Sequence, residues 1–73
     1  MPRYEWRRRV IPSCAGQAQE AVAQLRARGI RVNLERDWIV FDLLLDGEEP
    51  EVEAAAVRLL DRVWPAWRQC VAE

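Results

Sequence analysis

The first segment with a clear hydrophobic pattern covers residues 3–11, where apolar and charged side chains alternate. Tyr4, Trp6 and Val10 fall on one side of an extended chain, with an arginine among them, and the other side is mostly charged. Aromatic and β-branched residues with a period of two are typical of a strand, and Pro12 ends the pattern. The sequence therefore predicts a first strand over residues 3–11.

The spacing changes to a helical one over residues 13–29. Small apolar residues recur every three or four positions up to Leu25. Ser13 or Cys14 suits the start of a helix, and Gly29 suits its end. Because the apolar stripe is made largely of alanine, we expect this helix to pack close to the layer beneath it.

Two further strands are predicted next. Residues 30–35 alternate between apolar and polar, whereas residues 38–45 are apolar on both sides except for Asp42. The polar pair Arg36 and Asp37 separates them, which indicates a hairpin. A strand that is apolar on both sides is usually central in its sheet. We therefore expect residues 38–45 to lie between the first strand and residues 30–35.

The last segment is predicted as a helix that breaks. Residues 46–53 are acidic and include Pro50, both of which suit the first turn of a helix. Helical spacing of apolar residues then continues to Val63. Pro65 lacks an N–H group, and its ring clashes with the preceding turn. The helix should therefore break near Val63, and a short helix should begin at Pro65.

These elements predict a single α+β domain over residues 1–73. The order βαββα gives a two-layer, open-faced sandwich: a three-stranded antiparallel or mixed sheet with two helices on one face, which is a ferredoxin-like fragment. The first strand should be an exposed edge. Antiparallel helices should bring Cys14 and Cys70 to the same end of the molecule. We expect buried thiols there, as in a reduced cytosol, with a disulfide as the alternative.

Composition limits the chemistry that this chain can perform. All eleven basic residues are arginine, histidine is absent, and the net charge is −1. The usual proton carriers near neutral pH and the Schiff-base nucleophile are therefore missing. Two cysteines without histidine cannot form a four-ligand zinc site. We expect a non-enzymatic protein with no cofactor and no metal. Neither a signal peptide nor a membrane span is indicated, so we expect a cytoplasmic location.

Three surfaces could carry a binding function. The arginine-rich first strand could pair with a partner's strand, or its charges could simply prevent aggregation. The sheet face away from the helices could present a tryptophan among arginines, to a protein or to a nucleobase. The tail tryptophans could plug the end of the sheet, or one of them could anchor a partner. The candidate binding residues are Trp6, Arg7, Arg9, Arg31, Trp38, Val40, Trp64 and Trp67.

The function predicted from these features is a small protein-binding module that docks on another macromolecule and modulates it, most simply as an inhibitor. We expect a protein partner and a homodimer. A homo-oligomeric structural module and a single-stranded nucleic-acid binder are the alternatives. Small α/β proteins without catalytic residues are typical of phage-encoded inhibitors, anti-CRISPR proteins included.

The order of elements, the short length and the tryptophan-bearing final helix resemble those of DinI-type modulators of the RecA filament. The resemblance implies, as another alternative, a modulator of a RecA-type filament. Those proteins carry an acidic C-terminal ridge, whereas this chain has Arg58, Arg62 and Arg68 in that region.

Overall fold

A computed structural model describes residues 2–35 and 40–72. The predicted hairpin turn at Arg36 and Asp37, and the candidate binding residue Trp38, lie outside the described residues. The elements, in chain order, are β1 (Arg3–Val10), a 3₁₀ turn (Pro12–Cys14), α1 (Ala15–Ala27), β2 (Arg31–Glu35), β3 (Val40–Asp46), α2 (Glu49–Val63), α3 (Trp67–Cys70) and β4 (Val71–Ala72).

The sheet has four strands in the order β2-β3-β1-β4, and each neighbouring pair is antiparallel. The α+β class is confirmed, and so is the central position of β3 between β2 and β1. The predicted number of three strands is wrong, and the ferredoxin-like order is not confirmed. The difference lies in the tail, because the chain returns to the sheet after α3 and adds β4.

β4 also corrects the prediction that β1 is an exposed edge along its whole length. Ala72 pairs with Arg9 and Val71 with Val10, and the Ile11 N–H donates to the main-chain oxygen of Cys70 over 2.8 Å. The carboxyl end of β1 is therefore covered. On that same side, away from β3, the part of β1 that precedes Arg9 has no strand beside it among the described residues.

The core lies between the sheet and the two longer helices. Alternate residues of β1 point into it, and so do alternate residues of β3, because successive side chains of a strand face opposite sides. The core is closed by small residues of α1 and by one apolar stripe of α2. Its largest fully buried side chains are Trp6, Phe41, Leu25, Leu43, Leu60, Val10 and Val52.

α2 has the start and the break that the sequence indicates. Glu48 and Glu51 form a capping box, in which each side chain accepts a hydrogen bond from the other's main-chain N–H. The helix ends at Val63, and Trp64 leaves helical geometry before Pro65, as predicted. No helix within residues 2–35 and 40–72 combines the length and the apolar character needed to cross a membrane.

Cys14 and Cys70 form a disulfide, with their Cα atoms 5.6 Å apart. The prediction that the two cysteines share one end of the molecule is confirmed. The expectation of two buried thiols is wrong, because the turn at Pro65 directs α3 towards the start of α1 and brings the two side chains into contact. The bridge closes a loop with a sequence separation of 56 residues, for which chain entropy predicts about 4 kcal/mol of stabilisation.

Candidate functional site

The main candidate site is the part of β1 that β4 leaves uncovered. The N–H and C=O groups of alternate strand residues point to opposite neighbours. Since the Ile11 N–H points to Cys70, the main-chain groups of Glu5 and Arg7 point to the same side. No described strand lies there. We call the segment Arg3 to Arg8, on the side away from β3, the uncovered edge.

The uncovered edge is partly protected by its own arginines. Arg8 donates from Nη1 to the main-chain oxygen of Arg7 over 2.8 Å. The Glu5 carbonyl and the N–H groups of Glu5 and Arg7 have no partner among the described residues. Arg8 therefore shields one acceptor and leaves the other main-chain groups available, so both sequence interpretations of the arginines stay predictions.

The opposite edge of the sheet, formed by β2, is covered differently. Arg26 of α1 donates from Nε to the main-chain oxygen of Val32 over 3.0 Å, and from Nη2 to Oδ1 of Asn33 over 2.9 Å. One arginine side chain therefore reaches from the helix layer over this edge. On the β2 edge one main-chain acceptor is therefore taken by a side chain, whereas the uncovered edge of β1 adjoins the cleft described next.

A cleft of about 270 Å³ adjoins the uncovered edge on the helix side. The rings of Trp6 and Trp67 are in edge-to-face contact within its lining, with centroids 5.8 Å apart. The guanidinium of Arg8 lies 4.4 Å from the Trp6 ring, and that of Arg68 lies 4.6 Å from the Trp67 ring. We call this the tryptophan cleft. Its lining offers apolar surface and arginine planes to a side chain on a strand added to β1.

Carboxylates fix the position of both arginines in the tryptophan cleft. Glu53 accepts from Nη2 of Arg8 with both carboxylate oxygens, over 2.9 and 3.1 Å. Asp61 accepts from Nε1 of Trp67 over 2.7 Å and from Nη1 of Arg68 over 2.6 Å. The Trp67 hydrogen bond, followed by that of Arg68, lowers the pKa of Asp61. The cleft is therefore held in place by charge-assisted hydrogen bonds and carries little net positive charge.

The face of the sheet away from the helices carries a charge network centred on Arg7. Its guanidinium lies 3.4 Å from Glu5, 3.4 Å from Asp42 and 3.3 Å from Glu35. Three carboxylates from three strands thus surround one arginine. These carboxylates largely cancel the positive charge at the centre of this face.

Asp42 is the one buried charged side chain of the described residues, at 9% exposure. Its Oδ1 has no hydrogen-bond partner there. Burial, and then the hydrogen bond and charge of Glu5, raise its pKa to about 6. It borders a cavity of about 550 Å³ beside β2, lined also by Arg31 and Leu44. Near neutral pH this carboxyl can therefore gain or lose a proton.

The predicted binding residues separate into three groups. Trp6 and Trp64 are core residues, at 1% and 4% exposure, and Nε1 of Trp64 donates to Gln17 over 2.9 Å. Trp67 is partly buried and lines the tryptophan cleft. The prediction that the tail plugs the end of the sheet therefore holds for Trp64, and the role of Trp67 as an anchor for a partner stays a prediction.

The remaining predicted residues lie on the face away from the helices. Arg9 and Arg31 are exposed and make no ion pair with any described residue, and Val40 is partly buried. Sequence reasoning missed Arg8 and Arg68 as residues of the cleft. Their only signal was proximity to a tryptophan in the sequence, two residues away for Arg8 and one for Arg68.

Neither a metal site among the described residues nor a similarity to known proteins was found. Within the described part of the chain, no group of three or more histidine, cysteine or acidic side chains is placed to hold a metal ion. Comparisons of the chain with family models, with curated proteins and with solved structures find no match.

Proposed function

We propose that this protein is a non-enzymatic recognition module that docks on a protein partner and modulates it. The observation that supports this most is the uncovered edge of β1, which is next to the tryptophan cleft. An added strand would gain hydrogen bonds from the main-chain groups of Glu5 and Arg7, and specificity from side-chain contacts. The partner is another protein or a second copy of the chain.

The side chains on the two faces of the sheet next to the uncovered edge define which peptide segment this edge would accept. A side chain that faces the helices would reach the tryptophan cleft beside Trp67 and Val71, where aromatic or aliphatic groups gain most. A side chain on the other face would lie opposite Glu5 or Arg7, where the opposite charge is favoured. The preferred ligand is therefore an extended peptide that alternates apolar and charged residues.

Selection from a library of random peptides displayed on phage tests this proposal. The selected peptides are measured against wild type, Glu5→Pro and Glu5→Ala. Proline removes the N–H that points out from the uncovered edge and costs no internal hydrogen bond, as edge positions tolerate. Alanine removes the same side chain but keeps the N–H. We expect the proline variant to bind at least about tenfold more weakly than the alanine variant, as the loss of main-chain pairing implies. Equal binding by the two variants would rule out edge pairing.

A single-stranded nucleic acid is the second candidate ligand. The observation in its favour is that Arg9 and Arg31 are exposed and make no ion pair among the described residues. Arg7 lies between them, however, and is surrounded by carboxylates. Titration of labelled oligonucleotides at low and moderate salt would test this candidate, since phosphate contacts weaken steeply with salt. Salt-dependent binding that is lost on replacing Arg9 and Arg31 with glutamine would favour it over the protein partner.

The cytoplasmic location expected from the sequence stays a prediction. The bridge between Cys14 and Cys70 argues against a strongly reducing compartment, because structural disulfides are rare in the cytosol. Alkylation of free thiols in intact cells, followed by mass spectrometry, would report the state of the pair. Full protection of both cysteines from the reagent would indicate that the bridge persists where the protein works.

A further inference from the structure

We propose that the disulfide between Cys14 and Cys70 is a redox latch that holds β4 against β1, and that its reduction opens the outer edge of β1 up to Ile11. β4 is two residues long and takes the place beside Arg9 and Val10 into which an added strand would otherwise extend. The inference rests on the proposed function, because it describes how binding at the same edge is regulated.

The main-chain bonds of β4 hold it only weakly to β1. It pairs with Arg9 and Val10, and one further bond joins the Ile11 N–H to the main-chain oxygen of Cys70. A main-chain hydrogen bond contributes less to folding, on average, than the entropy lost in fixing one residue. A strand this short therefore needs an anchor. The disulfide supplies one directly before β4, at the last residue of α3.

The tryptophans of the tail are held without the bridge. Nε1 of Trp64 donates to Gln17 over 2.9 Å, and Nε1 of Trp67 donates to Asp61 over 2.7 Å. The ring of Trp67 also contacts that of Trp6 edge to face. None of these contacts involves a cysteine. Reduction therefore releases the segment after Trp67 and leaves both rings of the tryptophan cleft in place.

A small thiol or a protein dithiol can open the latch by disulfide exchange. Its thiolate forms a bond to Sγ of Cys14, which is the more exposed of the two cysteines, at 9% against 3% for Cys70. The bond between the two cysteines breaks, and Cys70 leaves as a thiolate that takes up a proton. A second thiolate then attacks the sulfur of the first, and Cys14 leaves in the same way. Two thiols are thus oxidised to a disulfide, and the bridge is reduced to two thiols.

Release of β4 lengthens the edge that a ligand can use. Alternate residues of a strand direct their main-chain groups to the same side, so Arg9 and Ile11 continue the row that Glu5 and Arg7 begin. In the oxidised protein β4 covers this continuation. An extended ligand is therefore stopped at Arg8 while the bridge is intact. It gains further main-chain hydrogen bonds once the bridge is reduced.

Amide exchange measured residue by residue by NMR tests the latch without any ligand. The amides of Arg9 and Ile11 point to β4, whereas those of Trp6 and Arg8 point to β3. On addition of dithiothreitol, the first two amides should exchange at least about tenfold faster, and the other two should keep their protection. The matched control is the double variant Cys14→Ser/Cys70→Ser, which should show the fast pattern with and without the reductant.

Two results of this experiment would overturn the inference. Amides of Arg9 and Ile11 that stay protected after reduction would show that β4 needs no latch. Loss of protection at Trp6 and Arg8 as well would show that the bridge holds the whole fold together and does not control β4 alone.

Binding of a peptide selected on the double serine variant completes the test. A peptide long enough to reach Ile11 should bind reduced wild type about tenfold more tightly than oxidised wild type, through the added main-chain bonds. The same peptide, shortened to end opposite Arg8, should bind both forms alike. Equal affinity of the long peptide for the two forms would also overturn the inference. If selection yields no peptide, the proposed function fails, and amide exchange still judges the latch separately.

Discussion

Replacing Asp42 with asparagine should stabilise the fold at neutral and higher pH, although most substitutions of buried polar residues are destabilising. Asp42 lies on the central strand β3, and its Oδ1 has no partner among the described residues. Burial and Glu5 raise its pKa from 3.8 to about 6. Because the folded protein binds this proton more tightly than the unfolded chain does, ionisation of Asp42 opposes folding.

The magnitude follows from the size of the pKa shift. One pKa unit corresponds to about 1.4 kcal/mol, so ionised Asp42 costs at most about 3 kcal/mol well above pH 6, and solvent screening of this carboxyl lowers that figure. Asparagine removes this cost but weakens the contact with Arg7, which is worth up to about 1 kcal/mol. We therefore expect Asp42→Asn to raise the free energy of unfolding by about 1–2 kcal/mol at pH 8.

The pH dependence has a definite sign. The penalty is absent below about pH 3.8, where the carboxyl is protonated in both states, and it develops as the pH rises through about 6. Urea unfolding of wild type and Asp42→Asn at pH 4, 5.5 and 8, followed by tryptophan fluorescence, measures this penalty. The control is Asp46→Asn, which removes an exposed carboxyl that is paired with Arg3. A variant less stable than wild type at pH 8, or a difference that does not change with pH, would refute the reasoning.

Three further substitutions test other parts of the structure. Replacing both Cys14 and Cys70 with serine should lower the free energy of unfolding by about 4 kcal/mol, and reduced wild type should match the variant in urea denaturation. Arg26→Met leaves the main-chain oxygen of Val32 uncovered. This variant should lose about 1 kcal/mol of unfolding free energy and should associate more in light scattering. An unchanged scattering profile would contradict the protective role of Arg26. Gly47 has a φ of 130°, so Gly47→Ala should lower the melting temperature through a backbone cost of roughly 1–3 kcal/mol, and an unchanged melting temperature would contradict this.

The sequence predicted the elements that are specified by the pattern of apolar residues or by the steric effect of a proline. The central position of β3 follows from a segment that is apolar on both sides, and the end of α2 follows from the ring of Pro65. β4 could not be predicted, because the two residues Val71 and Ala72 carry no periodicity. Their pairing depends on the direction in which the chain leaves Pro65, and the disulfide depends on the same direction.

The candidate site was only partly predictable for a related reason. The alternation of β1 indicated an edge rich in arginine, but the register of three strands is needed to bring Glu5, Asp42 and Glu35 around Arg7. The contact of all three carboxylates with one guanidinium is therefore visible only in the folded chain. The same holds for Arg26, which lies near the end of α1 and covers an edge that the sequence does not place beside it.

Amide hydrogen exchange of β1, followed residue by residue by NMR, tests the central claim most directly. In dilute protein the amides of Glu5 and Arg7 should exchange rapidly, because they point out from the uncovered edge, whereas those of Trp6 and Arg8 should be protected by β3. On binding a selected peptide, the Glu5 and Arg7 amides should become protected. Amides of Glu5 and Arg7 that are already protected in dilute protein, or that stay unprotected in every complex, would contradict recognition through this edge.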